Sequence, residues 1–326
     1  MREPAFLKRN KEKWKGFEDK IREVESMSPD EQAEIFIELT DDLAYAQTYY
    51  PNSQTTRYVN NMAVKVHQSI YKNKKERSGR IFDFWKYELP SMFYKHLPKL
   101  LTAFIVFGVA IVIGVISTLN DATFVRLILG DGYVNMTLEN IENGDPMAVY
   151  GKMDEFSMFT YITLNNIWVS ILAMLMGLLF SVGTGYILFQ NGIMVGSFFT
   201  FLFNEGVGKT AFSAVMIHGT LELTAITIAG CAGFVIGSSI LFPGTYTRIQ
   251  SFKRGAREAI KISVGLVPIF VVAGFLESFV TRHYQAHWLI NWVIIIVSAI
   301  FLVWYFVLYP IQLNRSKGMN QSEPIL

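Results

Sequence analysis

A chain of 326 residues with 51% hydrophobic residues, 17% charged residues and a mean hydropathy of +0.30 is too apolar for an ordinary soluble domain, which runs nearer about a quarter charged. The charge is also unevenly placed: 18 of the 29 Lys and Arg and 15 of the 27 Asp and Glu lie in residues 1–99. A formal net charge of +2, with the basic residues of that segment balanced by acids, argues against a nucleic-acid partner, and the single cysteine, Cys231, excludes a disulfide framework or a Cys-based zinc site. The composition therefore describes an all-α integral membrane protein preceded by a charged helical arm. No apolar stretch of signal-peptide type precedes about residue 100, so no cleaved export signal is expected.

The arm, residues 1–79, reads as three helices. Phe6, Trp14, Phe17, Ile21 and Val24 recur at three-to-four spacing among charges. Ser28, Pro29, Asp30 and Glu31 form a capping box with proline at the first helical position, opening a second helix through Ile35, Leu39, Leu43 and Ala46. A turn at Tyr50, Pro51, Asn52 and Ser53 precedes a third helix to about Tyr71. The basic cluster Lys72, Lys74, Lys75, Arg77 and Arg80 then lies just ahead of the membrane, where it is expected to meet anionic lipid headgroups. Residues 80–99 interleave Phe82, Phe84, Trp85, Tyr87 and Phe93 with lysines and predict an interfacial amphipathic helix, kinked at Pro90.

Residues 100–310 form the predicted transmembrane domain. A spanning helix needs about 20 apolar residues to cross a core of about 30 Å. Runs at 100–119, 167–189, 211–242, 262–280 and 288–308 qualify, and a shorter run at 193–203 is ambiguous. The charges of the connecting segments choose between the options. Residues 120–166 carry Arg126 and Lys152 against seven acids, whereas residues 243–261 carry Arg248, Lys253, Arg254, Arg257 and Lys261. Six spans with both termini cytoplasmic, an outer loop at 120–166 and a cytoplasmic tail at 311–326 satisfy the positive-inside rule throughout. The run 211–242 is too long for one simple crossing, so a break at Gly219 or a strong tilt is expected.

Two glycine spacings, Gly192 with Gly196 and Gly233 with Gly237, predict close helix packing between spans three and four. The string from Gly206 to Thr210 mimics part of a phosphate-binding loop, but Phe203 stands where glycine is needed and no strand precedes it. The chemistry is concentrated in His218, Gly219, Thr220, Leu221 and Glu222. His218 and Glu222, four apart, share one helix face, and a charge in mid-membrane costs at least about 2.5–3.5 kcal/mol unless paired, protonated or wet. The set His218, Gly219, Thr220 and Glu222 is thus the candidate intramembrane polar site. His283 and His287, also four apart, lie at the same end of the bundle, so His218, Glu222, His283 and His287 are the candidate ligands should zinc bind; no cofactor is otherwise expected.

With these residues in view, the chain resembles the stage II sporulation protein M family. The resemblance rests on Phe6, Arg9 and Trp14, on the capping box, on Asp42 to Ala46 and Tyr50 to Ser53, on Asn165 and Asn166, on Gln190 to Gly192, and most specifically on Ile217 to Glu222 with Ala229 to Gly233. It implies a multi-pass protein of the bacterial cytoplasmic membrane, and for the founding member a membrane anchor for peptidoglycan-degrading partners. It supplies no catalytic residue. Together these observations favour a non-enzymatic membrane scaffold that contacts the bilayer, envelope proteins and further copies of itself. The alternative is a transporter or lipid-handling protein using His218 and Glu222, and a third reading is a membrane metallohydrolase. No HExxH motif supports that last reading.

Overall fold

The computed structural model describes residues 1–22, 27–72, 79–151, 153–284 and 288–321, and among these every regular element is helical. The chain divides into two compact units, residues 1–80 and residues 81–326.

The first unit packs α1 (Glu3–Arg22), α2 (Pro29–Tyr49) and α3 (Gln54–Lys72) around its own core of Phe6, Trp14, Leu39, Ala46, Val59 and Val66. Trp14 is 1% exposed, stacks edge-on against Phe6 at 5.5 Å and donates its indole N–H to Asp42 Oδ2 at 2.7 Å. The capping box at Ser28 and Glu31 is formed in both directions. The two donors of Ser28 hold the Glu31 carboxyl below the usual glutamate range. The cap's contribution is therefore present above the unfolded-state value and is lost as pH falls through the lowered one.

The second unit begins within α4 (Arg80–Asp83) and continues through a π-helical turn at Phe84–Glu88 into α5 (Leu89–Lys95). Pro90 lies inside a continuous helical run, directly after the π-helical turn. This region is more than a surface helix. Leu89 and Phe93 are fully buried, Phe93 meets Phe306 edge-on, and the hydroxyls of Tyr305 and Tyr309 donate to the carbonyls of Trp85 and Lys86. The exposed Ile81 and Phe82 keep an apolar edge outward.

Among the described residues, six helices are long and apolar enough to cross a membrane. The first is α6 (Leu97–Asn120). Two short helices, α7 (Phe124–Leu129) and α8 (Asp131–Glu142), follow and are joined at Gly130, whose φ of +84° few other residues adopt. The remaining elements are α9 (Glu155–Leu175), α10 (Val182–Asn204), α11 (Gly208–Leu241), α12 (Arg248–Phe275), α13 (Trp288–Val303) and α14 (Tyr309–Gln321). The spans at α9, α12 and α13 continue through 3-10 or π turns.

Three sequence expectations change. The second span begins at Glu155, inside the expected outer loop, and ends at Leu178; the third begins at Val182. The reversal falls within the apolar run 167–189, at Phe180 (φ +53°) and Ser181 (φ +69°), two non-glycine residues in the left-handed region. Ser181 is a turn former by type, but Phe180 is not and the flanking residues are apolar, so hydropathy carried no mark of the break. The run at 193–203 is accordingly the second half of a full span.

Gly219 does not interrupt α11, which is one 34-residue helix about 51 Å long at 1.5 Å per residue. That length is accommodated because α11 is the central helix, with Ala225, Ile228, Ala229, Cys231 and Ala232 fully buried.

Both glycine pairs pack inside the fold, but only Gly233 joins spans three and four as expected. A Cβ on Gly196 would lie 2.2 Å from the carbonyl oxygen of Ile111, and one on Gly192 2.7 Å from that of Phe107, so this pair seats α10 on α6. Gly233 seats α11 on Thr184 of α10 and on the Ala173 carbonyl of α9, and Gly237 admits Ser181 at the reversal after span two. Each of the four meets at least one backbone atom closer than a Cβ allows, and backbone cannot yield as a side chain can.

Candidate functional site

Position along α11 and α12 creates the site. His218 and Glu222 project from one face of α11, and Glu277 arrives opposite them from the π-helical turn at Leu276–Val280 that ends α12. Such turns widen a helix by one residue and recur at functional sites. One donor atom from each of His218, Glu222 and Glu277 lies within 4.8 Å of the others.

The imidazole is oriented from behind. His218 Nδ1 is 3.0 Å from the fully buried hydroxyl of Thr281, which turns Nε2 toward Glu277 Oε1 at 3.7 Å. That separation exceeds a hydrogen bond. Asn166, 4% exposed on α9, lies against the Glu222 carboxylate, yet its Nδ2 lacks a well-formed hydrogen bond. Ser278 Oγ, beside Glu277 in sequence, is likewise buried without a hydrogen-bond partner.

A cavity of about 400 Å³ reaches this cluster. Its polar face is His218, Gly219 and Glu222; its walls come from Met194, Phe198 and Phe199 of α10 and from Ile128, Leu129 and Tyr133 of the loop helices. Gly219 leaves this wall open, since a Cβ there would make only ordinary contacts. Tyr133 is largely buried over the cavity, and burial pushes its phenol above the ordinary value. The loop helices are held down by Val125 and Val134 packing among Phe201, Leu202 and Ile217. Arg282 donates to the Met153 carbonyl, and Tyr284 donates to Asp145 at 3.1 Å.

The sequence-derived candidates separate. His218, Gly219 and Glu222 line one cavity. Thr220 lies on a different wall: its hydroxyl donates to the Met216 carbonyl at 2.7 Å, and it borders a smaller apolar cavity with Leu100, Phe104 and Phe306. His283 is exposed and outside the three-residue cluster, and His287 lies outside the described residues. Of the basic cluster, Lys74, Lys75 and Arg77 lie outside the described residues, while Lys72 ends α3 and Arg80 begins α4.

Sequence reasoning passed over Glu277 and Asn166 as site residues. The available signal was the acid itself: Glu277 is the only Asp or Glu in the run 262–280, and an ionisable residue there is a site candidate by default.

Comparison with known proteins agrees with the architecture. Residues 4–72, the helices of the first unit, match a domain of unknown function, DUF8413. No curated protein and no solved structure matches the chain. Residues 103–282, which carry five of the six spans and every member of the polar cluster, match the family model described as stage II sporulation protein M. The chain belongs to the stage II sporulation protein M family.

Proposed function

We propose that this multi-pass membrane protein binds and handles a lipid, or a ligand with a lipid-like apolar part, at the cavity between α10, α11 and the loop helices. The observation that carries this reading is the combination within one space of about 400 Å³ of apolar walls and a polar face at His218 and Glu222. Acids within a membrane domain are costly, and they persist where they pair or face a polar space used by a ligand. Met194, 40% exposed on α10, marks the cavity's edge toward the bilayer. Native mass spectrometry of the full-length protein tests the reading. The wild type is expected to retain a bound lipid that Met194→Trp, which fills the cavity edge, does not; equal retention by both overturns it.

A scaffold role is the second reading. The observation favouring it is the arm's independent core, which gives the protein a folded module outside the membrane unit. Both readings place the termini on the cytoplasmic side and α7–α8 outside, following the charge of the connecting segments. In a Cys231→Ala background, an impermeant thiol reagent is expected to label Glu139→Cys in intact cells and Gln250→Cys only after permeabilisation. Labelling of Gln250→Cys from outside reverses the orientation.

A further inference from the structure

We infer that His218 Nε2, Glu222 and Glu277 form a three-ligand site for a divalent metal ion of the zinc class, with its remaining position open to the cavity; this deepens the reading of that cavity as a binding site.

Geometry is the first argument. The 3.7 Å between His218 Nε2 and Glu277 Oε1 is too long for a hydrogen bond. It suits two donors on one ion: at about 2.1 Å from a shared zinc, atoms this far apart subtend about 120°. The Glu222 carboxylate lies within 4.8 Å of both, so a side-chain adjustment of about 1 Å completes the set.

Charge is the second argument. Two carboxylates stand beside a histidine inside a membrane unit, and a bound dication neutralises both acids together.

The surroundings are the third. A ligating histidine characteristically has its other ring nitrogen fixed by a neighbour, and Thr281 occupies that place at 3.0 Å from Nδ1. Asn166, 4% exposed and set against Glu222, is a buried polar group placed to orient that carboxylate.

Ligand type selects the metal. One imidazole with two carboxylates suits zinc and its neighbours, whereas calcium and magnesium favour larger all-oxygen shells. Three protein ligands facing a cavity leave a coordination position free, unlike the closed four-ligand shell of a structural zinc.

The test uses the full-length protein in detergent, stripped with a chelator and titrated with zinc chloride by calorimetry, with magnesium chloride as the control. The wild type is expected to bind one zinc per chain and to ignore magnesium at the same concentration. Glu277→Gln should weaken zinc binding at least tenfold, and Thr281→Val by about tenfold, the lower end for loss of an orienting neighbour. His283→Gln should change nothing. Wild-type binding no tighter than that of Glu277→Gln, or equal affinity for magnesium, overturns the assignment. Should Glu277→Gln fail to fold, X-ray absorption of the zinc-loaded wild type decides, since a nitrogen and oxygen shell with one imidazole is required and any other shell overturns it. No zinc binding together with lipid retention that Met194→Trp abolishes overturns the metal and leaves the cavity reading standing. Zinc binding with lipid retention indifferent to Met194→Trp does the reverse.

Discussion

Glu222→Gln is expected to abolish function in a deletion-complementation assay while leaving the melting temperature of the full-length protein unchanged. The amide fills the volume of the carboxylate and still offers an acceptor to Asn166, so the packing of α9 against α11 is kept. What it removes is the ionisable carboxyl facing His218 and Glu277. A packing role needs no such group, because a neutral amide joins helices at a lower desolvation cost. Glu222→Leu is the companion: it strands polar neighbours and should destabilise by about 1–3 kcal/mol. A fully active Glu222→Gln protein, measured at equal expression, would reduce the residue to helix packing.

Trp14→Ala should unfold the arm and spare the membrane unit. Trp14 is 1% exposed and central to a small core, and truncating a buried tryptophan costs about 3–5 kcal/mol. Whole domains are stable by only about 5–15 kcal/mol, and small ones sit at the low end. The substitution also removes the indole donor from Asp42, which keeps Lys13 at 2.6 Å. Limited proteolysis of the full-length protein should cut within residues 1–80 far sooner than in wild type, with the fragment from about residue 81 onward persisting. An arm that resists digestion would mean that contacts other than this core support it.

The elements legible from sequence were those whose signal is local. The second arm helix announces itself in four residues, Ser28 to Glu31, because a cap is a property of one turn. His218 and Glu222 were legible as a pair because helical spacing alone puts them on one face. The reversal at Phe180 and Ser181 was not, since both backbone conformations are imposed by packing: Gly183 lies so close to the Met176 carbonyl that a Cβ would stand 2.6 Å from it. Glu277 joins the site from 55 residues beyond Glu222, a distance over which no spacing rule operates. Its selection over His283 depends on how the end of α12 packs against α11, which only the fold reveals.

The π-helical turn at Leu276–Val280 makes chain length, not residue identity alone, a determinant of this protein's chemistry. Each residue of a helix carries about 100° of rotation, so removing one from this turn would twist the two ends of the fifth span against each other by that amount. Upstream, the buried face of Leu266, Phe270 and Ala273 is fixed by the core; downstream, Thr281 and Tyr284 are fixed by His218 and Asn291. A single-codon deletion here would therefore act as a geometric lesion. Every side chain named in the site could survive in the gene while the third corner of the cluster faced elsewhere.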